Sequence, residues 1–200
     1  MPEKKVGRPR GFDRDQALDA AVIVFWEKGY DGTSMRDLTE AMGINSPSLY
    51  SVFGDKHQLY LAAIDHYTES FGNSPISAFS EETDIRKAII AFLGTGITDE
   101  KGPLEHPKGC FISSCVPTSA GHVDGATEKL QRVIQGADTM FAARFETEKS
   151  LGNLPSDFPS EERARLMFDL RQGHVLRARA DLPAERIKAD LEARAKMILS

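Results

Sequence analysis

Two hundred residues, 40% of them apolar and 28% charged, can bury a core without staples and do not have the composition of a disordered chain. The longest unbroken apolar run, Ala20 to Trp26, is far below the roughly 20 residues of a membrane span, which excludes an integral helical membrane protein. No apolar segment of a secretory signal follows the basic N-terminus, and two cysteines cannot build a disulfide scaffold, so a cytoplasmic protein with reduced thiols is expected.

The net charge of −5 is unevenly spread. Over residues 1–14, Lys4, Lys5, Arg8, Arg10 and Arg14 oppose Glu3 and Asp13, which gives +3 there and leaves −8 for the remainder. A basic arm on an acidic body suits an anionic partner, although such arms also serve simply to solvate a terminus.

Helical patterns dominate and no sustained period-two alternation occurs, so an all-α fold is expected. Asp13 with Gln16 three residues on resembles a capping box. Ala17, Ala21, Val24 and Phe25 follow at helical spacing, and Lys28-Gly29 closes this first helix. Thr33-Ser34 with Asp37 opens a second, carrying Met35, Leu38 and Met42 as one stripe and ending at Gly43. Ser46-Pro47 opens a third, with Leu49, Val52 and Phe53 inward and Gly54 as its stop. Asp55 with Gln58 opens a fourth, which carries Leu59, Ile64 and Tyr67 and reaches about Phe71. Residues 72–80 read as a loop and a boundary. Beyond it, helices are expected at about 82–97, 108–120, 124–150, 160–179 and 183–199.

The second and third helices, joined by Gly43-Ile44-Asn45, form a helix-turn-helix candidate. Gly43 supplies the left-handed turn residue and Ile44 the plug between the helices. At about 100° per residue, Pro47 and Ser51 point nearly opposite Leu49, with Ser48 and Tyr50 on the flanks. No Asp or Glu occurs from Asn45 to Phe53, so nothing on this helix repels phosphate. The segments Gly29-Tyr30-Asp31-Gly32-Thr33-Ser34-Met35-Arg36-Asp37-Leu38, Ala41-Met42-Gly43-Ile44 and Ser48-Leu49-Tyr50-Ser51-Val52-Phe53-Gly54-Asp55-Lys56 resemble the DNA-binding domain of the TetR/AcrR family of transcriptional regulators over about residues 13–65. Thr39 departs from the small Ala usual there.

The resemblance implies an all-helical homodimer with a palindromic operator and a small-molecule inducer. It implies a basic arm over 1–12, a helix-turn-helix domain over 13–58 and a ligand-binding and dimerisation domain over 59–200. The expected function is a repressor released from its operator by that inducer. Combined with side-chain chemistry, it assigns Thr33 and Ser34 to phosphate at a helix N-terminus, with pure capping the competing reading for Thr33, and Arg36 to phosphate or a guanine edge, with a solvated surface charge as the alternative. Asn45 is assigned to adenine or to the turn itself, Ser46, Ser48 and Ser51 to the groove, and Pro47 to a thymine methyl. Tyr50 and Lys56 are assigned to the backbone, and Arg8 and Arg10 to an A·T-rich minor groove.

For an apolar or aromatic inducer, Tyr67, Phe71, Phe92, Phe111, Met140, Phe141 and Phe145 are the candidate pocket residues, with plain core packing as the competing reading. The resemblance places the dimer interface in residues 160–199, where Leu166, Leu170, Leu176, Ile187, Leu191 and Ile198 supply an apolar stripe and Gly173 permits close approach. No catalysis, cofactor or metal is expected, since His57, His66, His106, His122 and His174 lack ligand spacing. The alternative is a thiol sensor or enzyme centred on Cys110 and Cys115. In one regular helix those two sulfurs would point about 140° apart with a rise of about 7.5 Å, which disfavours a disulfide.

Overall fold

The computed structural model describes residues 12–70, 74–98 and 107–200, and among them all regular structure is helical. Four helices make the N-terminal unit. The first, α1 (Arg14–Gly32), starts where the Asp13 carboxylate accepts from the Asp15 and Gln16 amides at 2.8 and 3.3 Å. It breaks at Gly29, whose φ of 73° and ψ of 171° suit glycine, so Lys28-Gly29 ends the regular part as expected. Next comes α2 (Met35–Met42), opened by a reciprocal Ser34–Asp37 capping box and closed by Gly43 in the left-handed conformation (φ 64°). Asn45 caps α3 (Ser46–Phe53), its Oδ1 accepting from the Ser48 amide at 2.9 Å. Asp55 and Gln58 exchange hydrogen bonds at the head of α4 (Lys56–Ser70). Leu18, Phe25, Leu38, Leu49, Leu59 and Tyr60 meet in the core these helices share.

The remainder departs from expectation in four places. Residues 74–81 are not loop but helix, α5 (Ser74–Glu81): Pro75 sits in its first turn and Phe79 is buried against Phe92 and Phe141. The next helix, α6 (Ile85–Gly94), is shorter than expected, starting after the Asp84 cap. The stretch 108–120 is not one helix. It is two single turns, α7 (Phe111–Ser114) and α8 (Val116–Ser119), interrupted at Cys115, with Pro117 inside the second. Two long helices follow, α9 (Ala126–Ser150) and α10 (Ser160–Arg179). The expected helix over 183–199 is split at Ala189-Asp190 into α11 (Ala184–Lys188) and α12 (Leu191–Ile198).

Two main cores result. The first joins α1–α4 with Phe111, Ile112, Cys115, Val116, Val123 and Ala126. The second joins α5, α6, α9, α10 and α12 around Phe79, Ile89, Phe92, Phe141 and Met167. The segment 107–126 thus belongs by packing to the N-terminal unit. Polar contacts fix it there: His57 Nε2 lies 2.7 Å from the Asp124 carbonyl, His122 Nε2 lies 3.0 Å from Asp31, and the Tyr60 and Ser119 hydroxyls are 2.8 Å apart. The expected division at 58/59 falls inside α4, which runs unbroken and packs against both α1 and α9.

Candidate nucleic-acid interface and ligand pocket

The outer face of the α2–α3 pair follows from what its inner face buries. Leu49 is fully buried and Phe53 nearly so, which turns Ser46, Pro47, Tyr50 and Ser51 to solvent, with Ser48 half-buried. Tyr50 is 53% exposed, a large aromatic on the outward face beside Ser46, Pro47 and Ser51. Asn45 is exposed as well. Its Oδ1 is engaged in the cap, so the amide nitrogen is what it has left to donate. Arg36 projects fully into solvent, its Nε held only by Glu40 one turn on at 2.7 Å. An exposed pair of this kind contributes little and releases its arginine readily.

Two of the expected phosphate ligands are used inside the protein. Thr33 is buried and its hydroxyl donates to the Gly29 carbonyl at 2.6 Å, which fastens the kinked end of α1. The Ser34 hydroxyl accepts from the Asp37 amide and lies 2.7 Å from the Asp37 carboxylate. That carboxylate is itself 2.6 Å from Lys28 Nζ, and the lysine with the Ser34 bonds holds it well below the usual carboxylate range. Lys56 does more than face outward. Its Nζ donates to the Tyr30 and Thr33 carbonyls, both at 2.9 Å, and lies 4.3 Å from the Tyr30 ring centroid. One ammonium proton remains for a phosphate. Arg8 and Arg10 lie outside the described residues. Phe12, where the described chain begins, packs 6.2 Å from the Phe53 ring, and Arg14 lies over the same ring. The chain therefore enters beside the end of α3.

A cavity of about 260 Å³ lies at the seam of the two cores. Trp26 of α1, Tyr67 and Thr68 of α4 and Ile112 line it from the first core. Phe92, Ala137 and Phe168 line it from the second, with Arg171, Gln172 and Val175 of α10 beside them. Of the expected lining residues, Tyr67 and Phe92 are there, and Phe71 lies outside the described residues. Phe111, Met140, Phe141 and Phe145 are not in the lining. Phe111 fills the first core between Trp26, Tyr60 and Tyr67. Phe141 packs on Phe92 and Phe79, Phe145 on Phe158, and Met140 against the second core. Helical spacing marks such rings as inward; it does not separate a ring that fills a core from one that borders a hole. Trp26, Cys110, Phe168 and Arg171 were missed, and α10 carried no sequence signal of a pocket wall.

The cysteines part company. Cys115 is buried, its thiol donates to the Phe25 carbonyl at 3.1 Å, and burial pushes its pKa up. A thiol so placed is poorly reactive, so the thiol alternative rests on Cys110 alone. Cys110 precedes α7 in extended conformation, half-buried, in the cavity wall.

A tri-helical helix-turn-helix unit, with an uncharged outward helix and a helical body holding a cavity, defines a DNA-binding regulator. Comparison with known proteins agrees. Residues 17–63 match the profile of bacterial regulatory proteins of the tetR family. The chain is 31% identical over 188 residues to the HTH-type transcriptional repressor ComR of Escherichia coli (strain K12), covering 92% of this chain and 88% of that relative. It is 32% identical over 124 residues to the HTH-type transcriptional activator FasR of Mycolicibacterium smegmatis, covering 60% and 56% respectively. Among solved structures it superposes on a cysteine variant of the TetR family transcriptional regulator CifR complexed with 26 bp double-strand operator DNA. That match has a TM-score of 0.84 and 31% identity, and covers 94% of this chain and 98% of that one. The chain belongs to the TetR family and is a DNA-binding transcriptional regulator.

Proposed function

We propose that the protein is a repressor that binds a palindromic operator as a homodimer and leaves it when a small molecule fills the cavity. The observation that carries this reading is the continuity of α4. Lys56 at its head grips the kinked end of α1 beside the helix-turn-helix, and Tyr67 and Thr68 near its other end line the cavity. A ligand that displaces the Tyr67 end tilts a rigid helix against the DNA-reading unit and alters the spacing of the two recognition helices in the dimer.

In this reading Asn45, Ser46, Pro47, Ser48, Tyr50 and Ser51 meet the major groove and its flanking phosphates. Arg36 and the last ammonium proton of Lys56 take phosphates, and Arg8 and Arg10 enter the adjoining minor groove. Thr33 and the Ser34 hydroxyl position these groups without touching DNA. The homodimer forms through residues 160–199, and the protein works in the cytoplasm. The domain division 1–12, 13–58 and 59–200 is retained as a functional one, with α4 as the shared member.

The test is footprinting on the intergenic DNA flanking the gene, followed by transcription from that promoter with and without the protein. Protection of a two-fold symmetric site together with lowered transcription is expected. Absence of protection, or raised transcription, would overturn the repressor reading.

A further inference from the structure

The charge balance of the cavity wall is one-sided. Its walls are largely apolar, from Trp26, Ile76, Phe92, Val133, Phe168 and Val175. Among the described residues that line it, Arg171 is the one charged side chain, and no carboxylate accompanies it. Arg171 reaches across from α10 to the end of α6. Its Nη1 donates to the Phe92 carbonyl at 2.5 Å and its Nη2 to the Thr95 carbonyl at 3.0 Å, with the guanidinium over the Phe92 ring. A guanidinium has five N–H groups in a rigid fork, so three remain after these two bonds.

The contrast with Arg144 is informative. That arginine also donates to backbone carbonyls, of Glu82 and Thr83, and it has a counter-ion, the buried Glu148 at 2.6 Å. Arg171 makes no ion pair among the described residues. Removal from water weakens its hold on the proton and brings its pKa down to about 10, so at neutral pH it is still a full charge. A half-buried cation in a largely apolar wall, with no counter-ion among the described residues, is costly unless something negative comes to it.

We propose that the cavity's ligand is a small organic acid: its carboxylate pairs with the free N–H groups of Arg171, and its hydrocarbon part lies among Trp26, Val133 and Phe168. This rests on the reading of the cavity as the inducer site and narrows it, because an apolar or aromatic body alone does not satisfy the arginine. Planar, bidentate recognition is what a guanidinium offers a carboxylate. The small volume favours a short aliphatic or single-ring acid over a long chain.

The experiment uses the full chain and a matched panel: hexanoate, benzoate, phenylacetate and 3-phenylpropanoate, each against its primary amide, with phenyl phosphate as a second anion. Binding is measured by calorimetry and operator release by fluorescence anisotropy. At least one acid binds at millimolar concentration or below, about tenfold or more tighter than its amide, and releases the operator. Arg171→Gln abolishes that preference while leaving the affinity for the amide, and Arg171→Lys restores part of it. The acid–amide comparison on the unaltered protein needs no variant, so a misfolded Arg171→Gln does not remove the test. Equal binding of acid and amide, no binding by any acid, or tighter binding of phenyl phosphate overturns the proposal. An amide that binds and releases the operator as well as its acid would sink the role of Arg171 and leave the inducer cavity standing. Operator release that persists unchanged in Val133→Trp, which fills the cavity, would sink both.

Discussion

Lys56 is where the chemistry of a single side chain decides most. As a surface cation it would contribute only to DNA affinity. Its ammonium instead donates to two carbonyls at the broken end of α1: that of Tyr30, which also accepts from the Thr33 amide at 3.3 Å, and that of Thr33, the residue that caps the helix. Charge-assisted bonds of this kind contribute about 2 kcal/mol net. Lys56→Ala should therefore lower thermal stability as well as operator affinity, which differential scanning fluorimetry and a DNA titration on the same preparation will separate. An unchanged melting temperature would refute the tether. Thr33, nearby, should behave as a structural residue and not as a phosphate ligand. Thr33→Val should cost stability through the lost bond to the Gly29 carbonyl, while affinity per folded molecule stays constant.

Among the elements, the end of α6 shows why some features were legible in the sequence and others were not. The N-terminal helices announce themselves through caps made by neighbours in the chain: Asp13 for α1, Ser34 with Asp37 for α2, Asn45 for α3, Asp55 with Gln58 for α4. Local spacing encodes such contacts, so starts, stops and the outward face of α3 could be read directly. The end of α6 is satisfied from far away. Arg171 takes the carbonyls of Phe92 and Thr95, and His174 Nδ1 lies 3.0 Å from that of Leu93. No local pattern reports a partner some eighty positions distant, and the cavity wall built by the same turn of α10 was missed for the same reason. The helix over 74–81 was missed differently: Ser, Pro and Gly suggested a loop, and only tertiary burial of Phe79 reveals the amphipathic turn.

The same junction gives a pH prediction. His174 is buried, and desolvation, opposed by its bond to Leu93 and reinforced by Arg194, Arg171 and Arg177, lowers its pKa below the ordinary histidine value. The folded form thus binds its proton less readily than the unfolded chain. Stability is full above pH of about 6.5 and falls as the pH drops towards the folded pKa, with a limiting slope of about 1.4 kcal/mol per pH unit for one proton. His174→Asn, which keeps a donor near the Nδ1 position, should flatten the stability profile on the acid side of neutrality. Chemical denaturation at a series of pH values checks this, and an unaltered slope would exclude His174 as its source.

For the whole molecule, assembly is the open consequence. Ile187, Leu191 and Ile198 were expected in the dimer stripe, but they are buried within one protomer, Leu191 closing against Gly94 of α6. The last helix is split at Ala189-Asp190, and Ile187 packs with Ile97, Ala178 and Ala184 while Leu191 and Ile198 enter the second core. Leu166 and Leu170 pack at the edge of the second core. What remains outward in this region is Leu176 at 69% exposure, with Leu182 and Met197. Large apolar groups left in water in the fold's C-terminal part suit a self-complementary interface. Leu176→Glu should leave the protomer folded and convert a dimer into a monomer in sedimentation at micromolar concentration. Operator affinity should fall with it, because one recognition helix cannot span two half-sites. A Leu176→Glu protein that sediments as a dimer would move the interface elsewhere.

The recognition helix has no formal charge anywhere along its length, from Ser46 to Phe53. Salt dependence of DNA binding measures ions freed from phosphates that Lys and Arg neutralise, at a slope of about 0.9 per phosphate. Every such cation here is on another element, so the helix that tells one sequence from another contributes nothing to that slope. Ser48→Ala or Pro47→Ala should change which base sequence is preferred yet leave the logarithmic salt plot parallel to that of the unaltered protein. Arg36→Ala should flatten the plot and lower affinity for every sequence alike. Discrimination and counterion release are therefore separable in this regulator, and the operator it reads can drift without altering how its occupancy responds to ionic strength.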